Sequence, residues 1–329
     1  MGALGRNLIN LSHSMISVVI CTHNPREDYL QRVLSALKEQ TLPKKEWELL
    51  LVDNSSTLPL AGQWDLSWHP QARIVRENTT GLTHARLCGI QNTTGELIVF
   101  VDDDNLLTPD YLENALGISK RLPFMGAFGG SSRGEFEKQP PVWMEFMLPQ
   151  LAVYEIKSEE WVRQTRVRGL ALAPCGAGMV CRRDVALNYF ERVAQSGLRA
   201  MLGRTGNQLS AGEDTDLALC ACEMGFAIGV FPQLELRHLI PMNRLEPDYL
   251  LRLAEGMRFS HVILTYIWEG ESAIPALETV PSCADRAMTF YKKMRRRMRG
   301  EQIPSFHEKV LQAQKNGEKK AREFLLKNF

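Results

Sequence analysis

Four short apolar runs, separated by polar breaks and helix-spaced stretches, constrain this chain more than any other feature. They are Ile16–Cys21 (ISVVIC), Leu49–Val52 (LLLV), Arg73–Val75 (RIV) and Leu97–Val101 (LIVFV). Runs this short and this continuously apolar suit strands buried on both faces. Between them Leu30, Val33, Leu34 and Leu37 recur at helical spacing, and Leu82–Ile90 reads as a short helix. Asn24-Pro25 is expected to open the first helix, with Glu27 completing a capping box, and Thr108-Pro109 to cap a later one. Gly126–Gly130 reads as a fifth strand and Gly176–Cys181 as another. A helix is expected from about Glu213 to Met224, with strands near Ile228 and at Leu234–His238. Strand–helix alternation of this kind predicts an α/β fold, a doubly wound, mostly parallel mixed sheet with helices on both faces.

In such sheets ligands bind beyond the carboxyl ends of the strands. Asn24, Asp53 and the run Asp102-Asp103-Asp104 all fall at such ends. Three carboxylates in one loop repel one another unless a cation or a donor-rich ligand neutralises them. Mg²⁺ and Mn²⁺ favour such oxygen donors and keep positions open for phosphate oxygens. The plain alternative is a solvated turn whose acids sit near the N-terminus of the following helix.

Composition narrows the function classes. Lys and Arg total 39 against 38 Asp and Glu, a formal charge of +1, so no global basic field favours nucleic acid. The 44% hydrophobic content excludes wholesale disorder, and no window approaches a bilayer-spanning apolar stretch. Seven cysteines with no CxxC pair suggest neither a disulfide framework nor a zinc finger, but small buried residues in a reducing compartment. A cytoplasmic protein is expected. Residues 1–14 read as a tail, 15–245 as the catalytic domain, and 246–329 as a helical C-terminal region. Residues 132–170, rich in Pro and aromatics, read as an insertion or lid over the site.

Six stretches in order carry a resemblance: ISVVICTHN, ELLLVDNSS, RENTTGLTHARLCGI, ELIVFVDDDN and, later, CGAGMVCRRD and AGEDTDLALCACEMGF. Together they resemble the family 2 glycosyltransferases with the GT-A fold, over roughly Met15 to His238. The resemblance implies a non-processive, metal-dependent transfer of a sugar from a UDP- or GDP-sugar to a glycan, lipid-linked or small-molecule hydroxyl, with inversion and with Mn²⁺ or Mg²⁺ as cofactor. It implies that Thr22 and Asp53 contact the nucleotide base, that Arg86 lies near the base or diphosphate, and that Asp102 lies near the ribose. Asp103 fills the variable middle position, Asp104 binds the metal, and His238 falls where a further metal ligand is found. Asp214 matches the general base. Asn24, Gly178 and Glu213 complete the expected sugar-nucleotide contacts.

The chemistry agrees with that assignment. Glycosyl transfer needs a stabilised leaving diphosphate and a carboxylate that takes the acceptor's proton. Departures from the family pattern are Asn54 where an acid is common, and HLIPMNRL where processive synthases carry Gln-x-x-Arg-Trp. A nucleotidyltransferase is the second enzyme reading, disfavoured because no Gly-rich phosphate loop follows Ile20; a silent nucleotide- or glycan-binding scaffold is the third. Trp143 and Phe146 are candidates to stack on a sugar, with packing on the core as the plainer account. In 285–299, the basic run Lys292–Arg299 borders an apolar stripe, which suits a helix lying on anionic membrane or, equally, one packed on the core.

Overall fold

The computed structural model describes residues 15–167, 170, 172–206, 208–273 and 305–328. The N-terminal tail, Cys283 and the basic stretch 285–299 lie outside the described residues. Four strands come first in the sheet order, β3 (Ala72–Glu77), β2 (Trp47–Asn54), β1 (Ile16–Thr22) and β4 (Leu97–Asp102), all parallel. Next to β4, the short strand β8 (Val180–Arg182) runs antiparallel and joins this half to β6 (Met125–Phe136) and β9 (Ala227–Ile240). Antiparallel β5 (Asn105–Leu107) and β7 (Glu160–Val162) both pair with β9. The long ladders are the parallel ones, so the sheet is mixed but mostly parallel, as its apolar runs predict.

β1 and β2 are buried along their whole length, which is why they read as unbroken apolar runs. Helix α1 (Glu27–Lys38) closes one face of the sheet with Tyr29, Leu30, Val33, Leu34 and Leu37. Burying each of these side chains stabilises the fold by roughly 1.5–3 kcal/mol before entropy is counted. α2 (Leu82–Gln91), α4 (Arg183–Ala194) and α6 (Glu213–Glu223) contribute to the apolar layer on the other face. The six described cysteines are free thiols, mostly buried.

Several local expectations are corrected. No capping box forms at Asn24: α1 starts at Glu27, with Arg26 at its N-cap. Asn24 instead adopts φ 49°, accepts from the Thr57 N–H at 2.8 Å and donates its own N–H to Ser56 Oγ at 2.9 Å. Left-handed backbone suits Asn, and its local partners outcompete a cap. Likewise α3 (Tyr111–Arg121) has Asp110, not Thr108, at its N-cap. The two strands expected near Ile228 and Leu234 are one, β9. The strand expected at Gly126–Gly130 runs on to Phe136, because its ladder with β9 resumes after two register shifts.

Residues 132–170 are partly regular. They hold the end of β6, a 3₁₀ helix (Val142–Leu151) and β7. The 3₁₀ helix buries Met144, Met147 and Leu151 with Leu250 and Leu253 of α7 (Pro247–Glu269) and Val310 of α8 (Ser305–Asn328). Trp143 stacks edge-on to Phe306 at 4.5 Å, so packing, not sugar stacking, accounts for it. The segment therefore forms a second apolar cluster with the C-terminal helices, while Pro149–Ala152 reach the cleft described below. Among the described residues no helix is long and apolar enough to cross a membrane.

One buried histidine makes the fold acid-sensitive. His69 is 3% exposed, its ring 4.1 Å from that of Trp47, and burial together with nearby Lys44 pushes its pKa down to about 4. The folded state holds the imidazole neutral, whereas the unfolded chain protonates it below about 6.5. Stability is therefore full above about pH 6.5 and falls as pH drops towards 4, by an amount on the order of 3 kcal/mol. Replacing His69 with Phe should flatten the fall in Tm across that window. An equally steep fall in the variant would place the sensitivity elsewhere.

Candidate active site

The register of the parallel strands sets the site. Thr22 lies opposite Asp53 and Cys21 opposite Asp102, so β1, β2 and β4 end level at one edge of the sheet. There a cleft of about 480 Å³ opens, lined by Thr22, His23 and Asp102–Asp104 from the strand ends and by Glu213, Asp214 and Tyr249 from the helices that follow.

The three consecutive aspartates have three environments. Asp102 is partly exposed and stands 3.6 Å from Arg86. Asp103 accepts a hydrogen bond from the Thr22 hydroxyl; burial, then the adjacent Asp104 carboxylate, push its pKa up to about 7. Asp104 is 6% exposed. Burial would raise its pKa, but His238 and Arg244 hold it well below the usual carboxylate range. Its Oδ2 lies 3.0 Å from Arg244 Nη1 and 3.5 Å from His238 Nε2, while Oδ1 accepts from Asn105 Nδ2 at 3.0 Å. The β5–β9 ladder creates this contact by pairing Asn105 with His238.

Across the cleft, α6 starts with two carboxylates held very differently. Glu213 is buried, accepts from Arg86 Nη1 at 3.0 Å and from the Gly212 N–H at 3.2 Å. Burial raises its pKa and Arg86 opposes that rise. Asp214 accepts from the Gly176 N–H at 2.9 Å on Oδ2 and from the Thr215 N–H at 2.7 Å on Oδ1. Arg86 thus clamps the end of β4 to the start of α6, and a side chain at Gly176 would collide with its guanidinium.

Thr22, Arg86, Asp102, Asp103, Asp104, Glu213, Asp214 and His238 all come together at this one cleft. Three expected contacts stand elsewhere. Asp53 is 1% exposed, and its oxygens accept from Ser56 N–H, Leu60 N–H and Arg76, so it organises the loop after β2 rather than facing the cleft. Asn24 ties that same loop to β1. Gly178 has φ +74°, and a Cβ there would come within 2.6 Å of the Tyr111 hydroxyl, so its role is in the turn before β8. Arg86, expected near base or diphosphate, is 3% exposed and committed to carboxylates.

Sequence reasoning gave no site role to His23, Asn54, Arg204, Arg244 or Tyr249, all of which line the cleft. Asn54 stands where an acid is common and pins the turn ahead of α2, donating to Thr79 O and accepting from Gly81 N–H, each at 2.7 Å. Arg204 lies between two glycines just ahead of Gly-Glu-Asp, a signal that could have flagged it. For Arg244 the signal was the arginine of HLIPMNRL, set aside because the motif around it differs.

Does the site suit a divalent cation? Among the described residues no group of three or more His, Cys, Asp or Glu is assembled for one. What exists is a pair, Asp104 Oδ2 and His238 Nε2, both turned towards the same guanidinium nitrogen. Two metal–ligand bonds of ~2.1 Å span their 3.5 Å separation. Few protein ligands plus substrate phosphates is the usual Mg²⁺ or Mn²⁺ arrangement, so the donor set fits.

Comparison with known proteins follows the same line. Residues 17–190 match the family described as Glycosyl transferase family 2, more than half of the chain. The glycosyltransferase AglE of Haloferax volcanii is 31% identical over 104 residues, which cover 31% of this chain and 34% of AglE. The succinoglycan biosynthesis protein ExoM of Rhizobium meliloti is 25% identical over 246 residues, 72% of this chain and 71% of ExoM. Among solved structures, the mannosyltransferase PcManGT of Pyrobaculum calidifontis, in complex with GDP-Man and Mn²⁺, superposes with a TM-score of 0.57. That alignment has 18% identity and covers 95% of this chain and 88% of the other, a likeness of fold. The sheet, the level strand ends and the matched residues agree: the chain belongs to glycosyl transferase family 2.

Proposed function

We propose that this protein transfers a sugar from a UDP- or GDP-sugar to a hydroxyl of a glycan or lipid-linked acceptor, with inversion. The observation that carries the reading is one cleft lined both by the Asp104–His238 pair and by Asp214. Asp104 and His238 hold Mn²⁺ or Mg²⁺. Bound there, the cation supplies Lewis-acid stabilisation of the departing diphosphate. Asp214 takes the proton of the attacking hydroxyl. Its Oδ2 accepts one N–H, leaving a lone pair for that proton. Glu213 has both oxygens engaged and serves to position Arg86.

The reading is tested by a thermal-shift panel of UDP- and GDP-sugars with and without Mn²⁺. A true donor should raise Tm, and more so with the metal, because it binds only the folded state. Asp104→Ala should fold and lose the Mn²⁺-dependent part of nucleoside diphosphate affinity in calorimetry. Unchanged affinity in that variant would remove the metal from Asp104, and no shift with any sugar nucleotide would favour a scaffold.

A further inference from the structure

Arg244 stands where its charge conflicts with a metal on Asp104. Its Nη1 is 3.0 Å from Asp104 Oδ2 and 3.2 Å from His238 Nε2, placing a positive charge between the two proposed ligands. For Arg244 to donate to His238, Nε2 must be the unprotonated nitrogen, the same form a metal requires. The guanidinium and a divalent cation would therefore use the same two acceptor atoms. They cannot do so together, because like charges at such separations repel.

The surroundings of Arg244 give it somewhere to go. It lies on the 3₁₀ turn Met242–Leu245 beyond β9, which is anchored by the Met242 N–H on Glu137 Oε2 at 2.8 Å and by buried Leu245. The backbone is thus fixed, while the side chain is 24% exposed and borders the cleft. Arg204, on the loop ahead of α6, adds a second positive charge near Asp104. An arginine on a fixed base at the rim of an open cleft can leave one anion only if offered another, and a diphosphate is such an anion.

We propose that Arg244 is the internal counter-ion of the metal site: it occupies the place between Asp104 and His238 in the empty protein, and moves to the diphosphate when metal and nucleotide arrive together. This rests on the metal reading above and goes beyond it. Metal alone must displace Arg244 with no compensation, so it binds weakly. Diphosphate alone meets Arg244 already paired. With both present, each charge has a partner. The coupling is reciprocal, so metal tightens diphosphate by the same factor as diphosphate tightens metal.

The experiment measures free Mn²⁺ by electron paramagnetic resonance during titration of the full-length protein, with and without UDP or GDP. In the wild type, Mn²⁺ alone should bind weakly and the diphosphate should tighten it. In Arg244→Gln, affinity for Mn²⁺ alone should rise by roughly tenfold or more, and the diphosphate should add correspondingly less. Arg244→Lys keeps the charge and should keep metal-alone binding weak; far-ultraviolet circular dichroism and Tm establish that both variants fold. Metal-alone affinity unchanged in Arg244→Gln, with normal coupling in the wild type, overturns the counter-ion role and leaves the metal reading standing. A wild type that binds no Mn²⁺ even with diphosphate overturns both.

Discussion

Asp214→Asn is expected to leave donor and Mn²⁺ affinity near native while lowering turnover roughly 10²–10⁴-fold, the usual worth of a general base. The substitution keeps size and shape, and the amide oxygen can still accept the Gly176 N–H that positions the side chain. What it removes is the basicity of the carboxylate, because an amide oxygen is far too weak a base to take the proton. A base acts only as the hydroxyl attacks, so its loss appears in kcat and not in donor Kd. Slow donor hydrolysis, in which water replaces the acceptor, allows the measurement before the acceptor is known. Hydrolysis at a wild-type rate would shift the role to another carboxylate. Glu213 is poorly placed to inherit it, being buried against Arg86.

The second large effect concerns stability. Arg86 is 3% exposed and neutralises Glu213 while approaching Asp102. Arg86→Met fills similar space but leaves Glu213 buried without its cation. Breaking such a pair from one side costs about 3–5 kcal/mol, a fall in Tm of roughly 5–10 °C for a chain of this size. Adding Glu213→Gln removes the uncompensated charge while retaining a polar oxygen for the Gly212 N–H. The double variant should therefore recover much of the loss, and thermal unfolding of the four proteins measures the coupling directly. A single variant as stable as wild type would mean that the pair contributes nothing. A double variant no better than the single would mean that Arg86 acts through packing on Gly176 and Phe100 instead.

What could be read beforehand follows a physical division. Strands buried on both faces announce themselves, because the central positions of β1, β2 and β4 are buried and almost all apolar. Their polar terminators then mark one edge, and Asp102–Asp104 were legible for that reason, whereas Glu213, Asp214 and His238 were reached through the family resemblance. The three-residue strands β5 and β7 were not, since so short a run carries no periodicity. Asp53 is a different case. Its position at a strand end is visible in the sequence, but the choice between facing a ligand and receiving Ser56, Leu60 and Arg76 is made by the loop and by β3. Arg244 and Arg204 had only weak local signals, and only the folded chain sets them near Asp104.

The pairing of Asn105 with His238 also bears on how the molecule assembles. The acidic loop leaves the ribosome long before β9 does, and until β9 docks it has neither His238 nor Arg244 to offset its charge. Non-local contacts of this kind form late, after the loop-closure entropy has been met. The first half of the sheet can therefore gather around β1, β2 and β4 while its own catalytic edge still repels itself. Completion of the active edge then coincides with arrival of the strand that inserts beside β6. A nascent chain halted before Ala227 would carry all three aspartates without His238 or Arg244 beside them.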